Sequence, residues 1–166
     1  SLDVRSLCLI RETLARYDAL ADFSFAMQGL GSGAISLYGN LEQKQNFLEE
    51  VSVGRMIAGF ALSEPDAGSD VAAMSSKAFS TTDGWKVNGE KSWISNGGIA
   101  DYYTLFAKTS DQPGSGGISA FLLEADNPGL SIAERQEVMA QHPLARLQLK
   151  DAELSRQALL GEEGKG

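Results

Sequence analysis

The apolar residues of this chain change their spacing once, near position 55, and the change separates two kinds of local structure. Before it they recur with a helical period. Leu7, Ile10, Leu14 and Tyr17 fall on one face of a first helix, with Arg5, Arg11, Glu12 and Arg16 off it. Cys8 lies on that apolar side and is expected in a core. A second helix is predicted to start after Asp22, whose short carboxylate suits an N-cap, and to turn Phe23, Met27, Leu30 and Leu37 inward. Asn40-Leu-Glu-Gln43 has the form of a capping box and predicts a third helix through Phe47, Leu48 and Val51. Gly29-Leu-Gly-Ser-Gly33 looks like a phosphate loop, but no strand precedes it and the spacing departs from Gly-x-Gly-x-x-Gly. Close helix packing is the better account.

From about Met56 onward the period is that of strands. Apolar or alternating runs cover Met56–Leu62, Lys77–Ser80, Trp85–Val87, Lys91–Ile94, Tyr102–Lys108, Ile118–Glu124, Leu130–Ile132 and Arg146–Lys150. Asp83-Gly84, Asn88-Gly89, Asn96-Gly97, Gly114-Ser-Gly-Gly117 and Asn127-Pro-Gly129 punctuate them, and such pairs tolerate the positive φ of tight turns. Asn88-Gly89, between Trp85-Lys-Val87 and Glu90-Lys-Ser-Trp93, reads as a hairpin. The expectation is an α+β chain in which antiparallel helices precede a small antiparallel barrel or sandwich.

Charge and composition narrow the function classes. A formal net charge of −8 argues against a nucleic-acid or anionic-membrane surface, both of which need basic patches. No run approaches the ~20 apolar residues of a membrane span. One cysteine cannot close an internal disulfide, which fits a reducing compartment such as the cytoplasm, or the mitochondrial matrix in a eukaryote. A lone His142 offers no metal site. Ser1-Leu-Asp-Val4 lacks an initiator Met and a signal pattern, and Gly161-Glu-Glu-Gly-Lys-Gly166 stops on a turn. A piece of a longer protein is expected.

Two segments carry the chemistry: Phe60-Ala-Leu-Ser-Glu-Pro-Asp-Ala-Gly-Ser-Asp-Val71 and Trp93-Ile-Ser-Asn-Gly-Gly98. Taken singly, Ser63 could cap a turn and Trp93 could fill a core. In this order and context they resemble the flavin-contacting segments of the acyl-CoA dehydrogenase family: a strand ending in Thr-Glu-Pro-x-Ala-Gly-Ser-Asp, then Trp-Ile-Thr-Asn-Gly. The residue types suit a flavin, whose ring has an apolar face and a polar edge that calls for short hydroxyls or N–H donors. Ser63 and the Trp93-Ile94-Ser95 unit supply that mixture. Pro65 must stop the strand because it cannot donate to a ladder. Ala67-Gly68-Ser69 forms a small-residue loop that a pyrophosphate could approach closely.

The resemblance implies an architecture: residues 1–55 as part of an N-terminal helical domain, 56–166 as the middle β-barrel, and a C-terminal helical domain absent. It also implies FAD as cofactor, with Phe60 and Leu62 against the flavin, Ser63 at the pyrimidine edge, and Gly68 and Ser69 near phosphates. Ser69 would lie beside the CoA phosphates as well, Trp93 and Ile94 beside the ring, and Ser95 on N5. The family base, a C-terminal glutamate, falls outside this chain, so the fragment itself is expected to be inactive. Glu64 and Asp70 are expected to bond backbone N–H groups of their own turns, and Ser92 to point away from Ser95 by strict alternation. Implied partners are an acyl-CoA or an acyl-carrier-protein thioester, an electron-transfer flavoprotein-like acceptor, and further copies in a homodimer or homotetramer. Three departures stand out: serine for threonine at 63 and 95, Asp66 for glycine, and an unfamiliar Gln141-His-Pro-Leu-Ala-Arg146. A flavin oxygenase or oxidase on the same scaffold, or a non-catalytic binding module, are the alternatives.

Overall fold

A computed structural model describes residues 3–166. Its helices are α1, Val4–Tyr17, and α2, Ala19–Tyr38, followed by α3, Leu41–Gln43, a π-helical turn over Lys44–Leu48, and α4, Glu49–Ser52. Asp18, not Asp22, caps α2: its extended backbone lets the carboxylate accept from Leu20 N and Ala21 N. Asp22 lies inside the helix, where it accepts both forks of Arg11 at 2.9 Å and holds α1 to α2. The capping box at Asn40 is present in both directions, with Asn40 N donating to Gln43 Oε1 and Gln43 N to Asn40 Oδ1. The Gln43 amide also donates to Gln157 O and Leu159 O, tying this helix to the end of the chain.

Burial on the helices differs from the periodic expectation. No residue of α1 is buried, Cys8 is exposed, and Tyr17 is 85% exposed. On α2 the buried stripe is Gly31, Ser32 and Ile35, while Leu30 and Leu37 stay exposed. The stripe is set by the sheet beneath: a Cβ at Gly31 would lie 2.6 Å from that of Ala58, so only glycine allows the helix to come this close.

The strands are β1 Ala58–Ala61, β2 Lys77–Ser80, β3 Gly84–Ser95, β4 Tyr102–Lys108, β5 Ile118–Glu124, β6 Leu130–Arg135, β7 Leu144–Ser155 and β8 Leu159–Leu160. They form one eight-stranded sheet in the order β6-β7-β3-β2-β4-β5-β8, with β1 added beside β4. Most pairings are antiparallel, as expected, but β1 and β2 each pair β4 in parallel. The sheet surrounds a core that includes Trp85, Val87, Ile94, Leu105, Phe121, Leu147 and Leu149.

The expected hairpin at Asn88-Gly89 does not form. Residues 84–95 are one strand, and β7 pairs along both halves of it. The register shifts between Val87 and Gly89, opposite Asp151, which sits at φ 49. Asn88 accepts from Asp151 N and donates to its carboxylate across this bulge. Gly89 is required for approach rather than for a hairpin turn, since a Cβ there would lie 2.2 Å from Ser76 Oγ.

Candidate functional site

One wall of the site is β1 and the residues that continue it. Its position is set by α2: Gln28 Nε2 donates to Met56 O, and Ala58 N donates to Gln28 Oε1 at 2.7 Å. Parallel pairing to β4 then fixes Ala58 opposite Tyr102 and Ala61 opposite Leu105. Beyond Ala61 the chain carries Leu62 and Ser63 outward and turns at Glu64-Pro65. Glu64 N donates to Ala67 O, and Ala67 N to Glu64 O.

Glu64 itself is 4% exposed and anchors the wall from below. Its carboxylate accepts from Lys91 Nζ at 2.7 Å, from Ser75 N and Oγ, and from Ser76 N. Burial alone would raise its pKa. The hydrogen bonds from Lys91 and Ser76, the Lys91 charge and the Ser75 N–H outweigh burial and hold it at about 2. Lys91 is fully buried, and burial outweighs its partner, so its pKa lies below the ordinary lysine value. A carboxylate so paired is a poor proton acceptor near neutral pH. Asp70 accepts from Ala72 N of its own turn.

The other wall is the end of β3, where the backbone departs from a regular strand. Lys91 pairs with Leu147 and Ile94 with Ala145, so β3 carries one extra residue here. Trp93, at φ 60, lies within this bulge. A tryptophan in left-handed backbone is a strained choice, costing on the order of 1–3 kcal/mol. The bulge sends the indole outward, 62% exposed, while Ile94 returns to the core. It also breaks strict alternation: Ser92 is 4% exposed beneath the site, and its N–H donates to Ser63 O. Ser92 therefore does not serve as an opposite-face control for Ser95.

Hydrogen bonds from β3 and the turn that follows it stitch the walls together without a ladder. Beyond Ser92 N to Ser63 O, Lys91 Nζ donates to Leu62 O, and Asn96 Nδ2 donates to Ala58 O at 2.9 Å. Above them opens a cleft of ≈ 160 Å³, lined by Met27 and Leu30 of α2, by Ala58, Phe60, Leu62 and Ser63, and by Trp93, Ile94 and Ser95. Six expected residues thus meet in one cleft: Phe60, Leu62, Ser63, Trp93, Ile94 and Ser95. Gly68 and Ser69 do not line it; they are exposed on the loop beyond Pro65. An apolar floor with a hydroxyl on each wall fits a flavin ring, which needs that pairing of surfaces.

Three contributors escaped the sequence reading. Asn96 opens the expected turn at φ 61, and its side-chain amide has the further task of holding β1. Lys91 was hidden by the expected hairpin. In one continuous strand it shares the parity of buried Trp85 and Val87, a signal that was available. His142 lies with its Nε2 2.9 Å from Ser95 Oγ and its ring in a T-shaped pair with Phe23. Among the described residues no cluster of His, Cys, Asp and Glu could hold a metal ion, and no helix is long and apolar enough to cross a membrane.

Residues 59–152 match the sequence profile of the acyl-CoA dehydrogenase middle domain, and the chain belongs to the acyl-CoA dehydrogenase family. It is 38% identical over 168 residues to the short-chain specific acyl-CoA dehydrogenase of Megasphaera elsdenii, covering 99% of this chain and 44% of that protein. A structure described as the electron transferring flavoprotein of Acidaminococcus fermentans superposes with a TM-score of 0.92 at 36% identity, over 99% of this chain and 44% of that one. The FAD complex of PigA superposes at 0.91 with 32% identity, over 96% and 43%. The chain therefore spans under half the length of these proteins. The family is one of FAD-dependent oxidoreductases.

Proposed function

We propose that this chain carries the flavin-facing wall of an acyl-CoA dehydrogenase, an enzyme that oxidises an acyl thioester to its α,β-unsaturated product. The observation that supports this most is the cleft between β1 and β3, where Ser63 and Ser95 open onto a floor of Phe60, Leu62 and Ile94. FAD, when bound, supplies a hydride acceptor at N5. In this reading Ser95 gives its hydroxyl to the N5 edge and Ser63 to the pyrimidine edge. Phe60, Leu62 and Ile94 exclude water from the ring, and Trp93 covers its rim. Gly68 and Ser69 meet phosphates farther out, with Ser69 shared by the substrate.

Removal of the α-proton is assigned to a carboxylate outside this chain, since Glu64 is held by Lys91 and two serines and Asp70 caps its own turn. We assign residues 1–55 to a partial helical domain and 56–166 to the flavin-binding barrel. The likeness to the Acidaminococcus structure supports an acceptor of the electron-transfer flavoprotein type, and the whole protein is read as a homodimer or homotetramer. A cleft of ≈ 160 Å³ is small beside the ~300–1,000 Å³ of typical ligand pockets, so these 166 residues alone are expected to hold FAD weakly and turn nothing over.

Anaerobic mixing of the full-length protein with CoA and carrier-protein thioesters of graded length tests the reading. Bleaching of the flavin band by at least one thioester is expected, and no bleaching with any of them would end it. Within that assay, Ser95→Ala should slow flavin reduction about tenfold, equivalent to ~1.4 kcal/mol. Ser131→Ala, on an exposed position of β6, should leave the rate unchanged.

A further inference from the structure

A serine hydroxyl is a versatile but poorly directed donor. It has one proton, two lone pairs and three staggered χ1 wells, and no branched methyl to favour one of them. If Ser95 is to offer its proton to a ligand in the cleft, something must choose its rotamer and occupy its lone pair. The structure supplies one partner for both tasks. His142 Nε2 stands 2.9 Å from Ser95 Oγ. The imidazole packs in turn against Phe23 in a T-shaped pair, with ring centroids 4.4 Å apart and planes inclined at 64°. Its neighbours are fixed from both sides: Asn96 N donates to Pro143 O, and Leu144 pairs with Ser95 across β3 and β7.

We propose that His142 is a positioning residue for Ser95. Its Nε2–H donates to the Ser95 oxygen, selects the rotamer that lines the cleft, and leaves the hydroxyl proton directed at the ligand. The inference rests on the reading that Ser95 faces the flavin. It extends that reading by assigning a role to a residue from a distant loop, one that does not line the cleft. A ring with its proton on Nδ1 would do the opposite, taking the Ser95 proton and turning a lone pair toward the cleft, so the donor direction is the substance of the claim.

The full-length holoenzyme tests it with three readouts: the visible absorption band of bound FAD, the FAD dissociation constant, and the rate of flavin reduction. His142→Leu keeps an apolar body against Phe23 but cannot donate. It should shift the flavin band in the same sense as Ser95→Ala, weaken FAD, and slow reduction about three- to tenfold. Adding Ser95→Ala to His142→Leu should cost nothing beyond Ser95→Ala alone. Adding Ser95→Thr to His142→Leu should restore the rate to within about twofold, because the β-branch selects a rotamer without the histidine. His142→Gln, which retains an N–H donor, should resemble the parent in all three readouts. It also carries the test if the leucine variant fails to fold.

Several outcomes overturn the inference. A His142→Leu enzyme indistinguishable from the parent while Ser95→Ala is slow would do so, as would losses that multiply in the double variant. So would a His142→Gln enzyme that behaves like Ser95→Ala. A normal Ser95→Ala enzyme would instead remove the cleft reading itself, and this inference with it.

Discussion

The two walls of the cleft are held by different physics. The β1 wall rests on a buried ion pair, Glu64 with Lys91, surrounded by the hydroxyl and N–H donors of Ser75 and Ser76. The end of the β3 wall rests on a left-handed tryptophan, on the Asn96 N–H donated to Pro143 O, and on the hydrogen bond between His142 and Ser95. An ion pair out of water gives an all-or-none anchor, since removing one partner strands the other charge in a medium that cannot solvate it. A strained bulge gives a softer hold that can be relaxed residue by residue. The anchored wall presents Ser63 with little freedom. The softer wall presents Ser95, whose orientation is the finer adjustment.

The largest effect should come from breaking the anchor. Lys91→Met is expected to destabilise the full-length protein by about 3–5 kcal/mol, and adding Glu64→Leu should recover most of that loss. Urea unfolding of the single and double variants measures this. A single variant within ~1 kcal/mol of the parent would mean that the pair does not hold the wall.

Acid should act on the same pair. The folded Glu64 carboxyl titrates at about 2 against an ordinary 4.5, so the folded state binds its proton less readily than the unfolded chain. Its contribution is present above 4.5 and is lost as pH falls from there through about 2. A stability profile against pH should show this fall in the parent and lack its Glu64 share in the Lys91→Met/Glu64→Leu variant. Equal acid slopes in the two proteins would contradict the assignment.

The soft wall predicts a smaller effect of opposite sign. Trp93→Gly relieves positive φ and should leave stability unchanged or raised by up to ~1 kcal/mol, while FAD binding weakens as the indole is lost from the rim. Trp93→Val, β-branched at the same φ, should be less stable than the glycine variant by about 1 kcal/mol or more. Equal stabilities for the two would show that the bulge does not depend on left-handed backbone.

The smallest effect belongs to the exposed loop that neither wall contains. A Cβ at Gly68 meets nothing within 4 Å, so Gly68→Ala should change stability by less than ~0.5 kcal/mol. If this loop receives a pyrophosphate, the added methyl should still weaken FAD severalfold in a titration. Unchanged FAD affinity would remove Gly68 from the site.

Wherever a signal lies within a few residues of its target, it could be read along the chain. Asn40 and Gln43 cap one another across a single turn, while β1 ends at Ala61 and Pro65 lies in the turn beyond it. The strands Lys77–Ser80, Tyr102–Lys108 and Ile118–Glu124 have the bounds their apolar runs predict. The motif pair that brings six residues to one cleft was likewise written in order.

What tertiary structure decided was partnership. Asn88-Gly89 has the chemistry of a hairpin turn, but β7 offers pairing along both halves of β3, and a continuous strand satisfies more backbone groups than a turn would. Asp18 and Asp22 are equally good caps by composition, and the ion pair that Arg11 offers from α1 assigns Asp22 to another task. Leu30 and Leu37 fit an apolar stripe, yet the approach of Gly31 to Ala58 fixes which face of α2 meets the sheet. Lys91 could be buried only because Glu64 reaches it from the turn beyond β1. His142, 47 positions from Ser95, is brought to its hydroxyl by the β3–β7 register and by packing against Phe23. Each of these depends on which distant surface arrives, and a local pattern carries no information about that.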